Sequence, residues 1–116
     1  MALKHAKSGD VLHLSGVDDP AARTVALAKT RSFEAIHLVV RARETLPVHR
    51  VEGSMTLHCL EGRVRFDAGK AVDMRAGDWV YLDPGTPHAL HGIDDSALLL
   101  TILFDAPVVD AGASSA

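Results

Sequence analysis

The chain has 116 residues, 47% of them hydrophobic and 23% charged, with a formal net charge of −3 at pH 7. That length fits one domain with a small core, and that composition excludes a disordered chain. No block of like charge is present, which argues against nucleic acid and against a membrane surface as partners.

Cys59 is the only cysteine. No internal disulfide can form, and the expected compartment is the reducing cytoplasm. Lys4 and Lys7 are followed by no apolar run, so no signal peptide is expected, and no stretch approaches the ~20 apolar residues of a membrane span. Arg41, Arg43 and Arg50 read as a solvated strand face. Seven histidines are many for this length, and their placement carries the functional question.

Residues 1–10 are polar and read as loose chain. Val11-Leu12-His13-Leu14, closed by Ser15-Gly16, reads as an edge strand. Asp18-Asp19-Pro20 is a turn or helix-start signal. A strand is expected from about Thr24 to Lys29, with a short helix as the alternative for so brief an apolar run. From Phe33 to Arg41 the chain alternates: Ile36, Leu38 and Val40 on one face, His37, Val39 and Arg41 on the other. Pro47, which cannot donate to a ladder, suits a strand edge or start. Ser54 to Glu61 puts Met55, Leu57 and Cys59 on one face and Thr56, His58 and Leu60 on the other.

After Glu61-Gly62, Val64 and Phe66 alternate with charged residues as in a half-buried strand. Ala68-Gly69-Lys70 and Ala76-Gly77-Asp78 are turn signals. Trp79 to Asp83 reads as a strand with Val80 and Leu82 inward and the two aromatics, Trp79 and Tyr81, outward. Asp83-Pro84-Gly85-Thr86-Pro87 is a stiff loop, His88 to His91 resumes an extended run, and Ala97 to Phe104 reads as a strand buried on both faces. Short strands at turn spacings of about 8–12 residues predict an all-β sandwich or barrel.

Two segments, Leu46 to Gly62 and Gly77 to His88, resemble the two motifs of the cupin superfamily, in its small, RmlC-like form. The resemblance implies an all-β, single-domain cupin β-barrel, a double-stranded β-helix or jelly roll. Residues 1–32 then form an N-terminal extension with edge strands, 33–104 the barrel and 105–116 a flexible tail. The family's paired metal-ligating histidines fall on His49 and Val51, its glutamate on Met55, its motif-closing glycine on Gly62, and its third histidine on His88. The asparagine that often ends the second motif falls on Gly92. The resemblance thus implies one divalent transition metal (Zn, Ni, Cu, Mn or Fe) or none, with His49, His88 and Met55 as the candidate ligands. A thioether beside two imidazoles suits copper better than iron. Cys59 shares the inward face but lies too deep, and His91 should point away from His88.

The plainer alternative makes His49 and His88 hydrogen-bonded histidines in a polar pocket, Met55 barrel filling and Cys59 a small buried hydrophobe. His37 and His58 are expected on outward faces, at the sheet surface or a dimer interface. Trp79 and Tyr81, joined by Phe33, Val39, Leu60 and Leu99, predict a homodimer, as does the resemblance. Three functions stay open: a protein binding a small-molecule ligand and one metal or none; a metal-dependent cupin enzyme of dioxygenase or isomerase type; and a closed structural barrel. The first is preferred, because it asks only for a cavity with a few polar groups.

Overall fold

The computed structural model describes residues 5–104. Among them the chain forms nine strands and no helix. Strands β1 (Val25–Lys29), β2 (Phe33–Val40), β9 (Ser96–Leu103), β4 (Ser54–Glu61) and β7 (Trp79–Leu82) form one antiparallel sheet in the order β1-β2-β9-β4-β7. Strands β3 (Thr45–His49), β8 (His88–Gly92), β5 (Arg63–Asp67) and β6 (Ala71–Arg75) form the second, in the order β3-β8-β5-β6. The expected all-β architecture is what the described residues adopt, as two antiparallel sheets.

Alternation explains which side of each strand is buried. Met55, Leu57 and Cys59 of β4 point between the sheets with Leu98 of β9 and Val40 of β2. Val64, Phe66, Met74 and Leu90 meet them from the second sheet. Each fully buried aliphatic side chain contributes about 1.5–3 kcal/mol, so these two inner faces hold the fold together. Gly62 turns the chain between β4 and β5 with φ +81°. A Cβ there would run into the Asp95 carbonyl and Ser96. Ser96 is fully buried; its hydroxyl accepts the Arg63 N–H (2.9 Å) and donates to the Asp94 carbonyl (2.7 Å).

The structure departs from the expected pattern at several places. Val11 to Leu14 forms no strand; these residues belong to an arm laid over the outer face of β1 and β2. Asp19 does mark a turn: its Oδ1 accepts the Ala21 N–H at 2.8 Å, and the chain enters β1 as a strand, not a helix. Arg41 is no solvated strand residue. Its guanidinium donates to the carbonyls of Val17 (2.8 Å), Asp19 (3.0 Å) and Ala22 (3.2 Å), and pairs with Asp95 at 3.5 Å, clamping the arm to β2. The arm buries Val39 and His37, which alternation alone placed on an open surface. Strand β6 was not anticipated, because only Met74 of its five residues is buried. The proposed tail, 105–116, lies outside the described residues. No helix among the described residues is long and apolar enough to cross a membrane.

Candidate functional site

A bulge builds the site. In β3, Thr45 pairs with His91 and Leu46 with Leu90, but the next pair is His49 with His88. Three steps on β3 therefore span two on β8. Strict alternation from inward-facing Leu46 would turn Val48 inward and His49 outward. The extra residue reverses this: Val48 is 70% exposed, and His49 comes to lie opposite His88. Pro47 sits in the irregular stretch, on an edge strand where its missing N–H breaks no ladder bond. The imidazole centroids are 4.3 Å apart and the rings tilted by 57°.

The stiff loop before β8 sets the second histidine. Gly85 N–H donates to the Val51 carbonyl at 2.8 Å, and the Thr86 hydroxyl donates to the Asp83 carbonyl at 2.8 Å. Tyr81 donates its hydroxyl to Asp83 Oδ1 at 2.9 Å. So held, Thr86 offers its carbonyl to His88 Nδ1 at 3.0 Å. His49 Nδ1 similarly donates to the Pro47 carbonyl at 3.2 Å. A carbonyl only accepts, so both rings carry a hydrogen on Nδ1. Phe66 lies against the other side of His88, nearly parallel, with centroids 6.5 Å apart.

These rings line a cavity of about 100 Å³ together with Met55 and the aliphatic side chains of Leu38, Leu46, Leu57, Leu90 and Leu100. That volume equals roughly three water molecules. His88 is 4% exposed and lies deep, whereas His49 is exposed and stands toward solvent. Burial holds the His88 pKa below the usual imidazole value; the Thr86 carbonyl opposes this, and neighbouring His49 adds to it. The deep imidazole is therefore neutral at pH 7 and presents an acceptor into an apolar space.

The three candidate residues His49, His88 and Met55 thus line one cavity. Val51 packs against the core. Gly92 abuts the Arg41 carbonyl, so closely that a side chain there would collide. Cys59 is fully buried and outside the cavity lining, its thiol directed to the Glu61 carbonyl at 3.5 Å and its pKa pushed up by burial. His91 points away, its Nδ1 2.7 Å from the Thr45 hydroxyl. The leucine walls were not singled out from sequence, although Leu38, Leu57 and Leu90 each follow from inward alternation.

The donors present are two imidazoles and a thioether. Among the described residues no carboxylate lines the cavity, and no three His, Cys, Asp or Glu side chains converge on a point. Such a set fits a soft ion such as copper and does not fit manganese or iron, which draw on carboxylates.

The family model described as a cupin domain matches residues 36–104. A cupin superfamily protein from Desulfitobacterium hafniense superposes with a TM-score of 0.73 at 19% identity, over 90% of this chain and 100% of that one. An RmlC-like cupin from Desulfovibrio desulfuricans gives a TM-score of 0.65 at 28% identity, over 85% and 97% of the two chains. A conserved protein of unknown function from Streptococcus pyogenes gives 0.72 at 12% identity, over 91% and 99%. No curated protein matches in sequence. The family match spans more than half of the chain and coincides with the strands that build the two-histidine cavity, and on that ground the chain belongs to the cupin family.

Proposed function

We propose that this cupin binds a small molecule inside its barrel, anchored by His49 and His88, and serves as a sensor, carrier or accessory protein. The observation that carries this reading is the pairing of the two imidazoles. Both Nδ1 atoms are committed to backbone carbonyls, and both Nε2 atoms are left to a cavity whose other described lining is apolar. A few polar groups in an apolar pocket are what orients a ligand. The neutral His88 acceptor favours a ligand that brings its own O–H or N–H. The cavity admits only a few heavy atoms, so a larger ligand would leave its remainder at the His49 mouth. Enzyme readings have less support, because among the described residues no carboxylate lines the cavity to orient either imidazole as a base.

Met55 favours a second reading, in which His49, His88 and Met55 hold copper; bound there, the ion would supply a Lewis-acid and redox centre. Elemental analysis of untagged protein, before and after copper, nickel and zinc addition, tests it. Copper retained by the native chain and lost in Met55→Leu supports the second reading; no metal under any condition rejects it. For the first reading, small alcohols and amides are screened by NMR on ¹⁵N-histidine-labelled protein. Ligands that move the His49 and His88 Nε2 signals support it. Binding that leaves both signals in place rejects it.

The outer face of the larger sheet bears on assembly. Trp79 is 60% and Tyr81 49% exposed there, beside His58 and Thr56 of β4, which separate them from Leu99 and Thr101 of β9. We propose that this face joins two copies in a homodimer, without Val39, which the arm covers.

A further inference from the structure

The larger sheet carries a second cavity on its outside. The arm begins on β1, where Ala6 N–H donates to the Leu27 carbonyl at 2.7 Å, then crosses β2 before the Arg41 clamp returns it to β1. Between arm and sheet lies a pocket of about 450 Å³, within the size range of ligand sites. His37 lies at its floor. It is only 5% exposed, yet neither ring nitrogen has a hydrogen-bond partner among the described residues. Its nitrogens are not sealed from solvent, since among the described residues the enclosed unpaired side-chain atom is Arg63 Nε; the pocket that His37 lines is where a ligand atom can reach them.

The rim supplies complementary groups. His13 and Ser15 of the arm and Arg23 of the turn line the pocket, and among the described residues no Asp or Glu does. Arg23 Nη1 donates to the carbonyls of Pro20 (2.9 Å) and Ala22 (3.0 Å), which fixes the guanidinium at the rim. Its remaining N–H groups make no hydrogen bond among the described residues. Leu14 and Leu27 give the pocket an apolar side. Glu61 acts on His37 electrostatically while its carboxylate accepts the Val17 N–H at 3.3 Å. Arg23 is the charged side chain of the lining among the described residues and favours a single negative charge, whereas Glu61, whose carboxylate meets the same arm, disfavours a second. From this we infer a second ligand site, for a small monocarboxylate with a short apolar body: the carboxylate between Arg23 and His37, the chain along Leu14 and Leu27. This site lies on the opposite side of the sheet from the His49–His88 cavity and does not depend on it.

The probe is hexanoate, titrated into the full chain by calorimetry and by ¹⁵N-histidine NMR, with hexan-1-ol as the uncharged control. Hexanoate is expected to bind at millimolar concentration and to move the His37 ring signals. Arg23→Gln and His37→Phe should each weaken it by about tenfold or more, and hexan-1-ol should bind at least that much more weakly. His37→Gln, which keeps a donor and an acceptor, separates loss of the hydrogen bond from loss of the fold and should retain binding. His49→Ala should leave hexanoate binding unchanged. The inference is overturned if hexanoate does not bind, if hexan-1-ol moves the His37 ring signals as readily as hexanoate, if Arg23→Gln is without effect, or if His49→Ala abolishes binding.

Discussion

Two neutral imidazoles are buried in this fold, and acid should unfold it through them. His88 and His37 both have pKa values lowered from 6.5, chiefly by burial; the Thr86 carbonyl opposes the shift at His88, and Glu61 opposes it at His37. For a base whose folded pKa is depressed, the unfolded chain takes up protons first as the pH falls. Stability is therefore intact above about pH 6.5 and lost progressively from there down to the folded pKa values. Each group contributes a slope of at most about 1.4 kcal/mol per pH unit. With an unfolded pKa of 6.5, the loss at pH 5 reaches no more than about 2 kcal/mol per histidine, about 4 kcal/mol for both. Against a total of about 5–15 kcal/mol for a domain, this is a large effect. The assay is urea unfolding between pH 7.5 and 5, a window in which ordinary carboxylates stay mostly ionised. His88→Asn, which keeps a donor for the Thr86 carbonyl, and His37→Gln should each flatten the profile. A stability that stays constant across that window, or a slope that neither variant reduces, would refute the reasoning.

Two further outcomes follow from the same contacts. Arg41→Ala removes three hydrogen bonds to arm carbonyls and the Asp95 pair. It should cost about 2 kcal/mol and speed amide exchange at Val39, whose N–H donates to Thr24 Oγ1; unchanged exchange there would show that the clamp does not hold the arm. The homodimer should appear in sedimentation as twice the 12.3 kDa chain mass and revert toward monomer in Trp79→Ser, whereas a native chain that sediments as a monomer removes the proposal.

The sequence by itself determined the fold class and most of the core. Period-two alternation in β2, β4 and β5 named the inward residues, because a strand with one buried face must place its apolar residues on that face. The resemblance to the two cupin motifs, and not alternation, brought His49, His88 and Met55 forward. Tertiary structure decided what alternation cannot express. One extra residue at Pro47-Val48 reverses the side on which His49 emerges, and a bulge is a property of a strand pair. His37 obeys the alternation and still ends up buried, because a segment distant in sequence folds across it. Its clamp, Arg41, looked like a surface charge until the carbonyls of Val17, Asp19 and Ala22 were seen to converge on it. Local pattern fixes which side of its own strand a residue takes; only the folded chain decides what lies on that side.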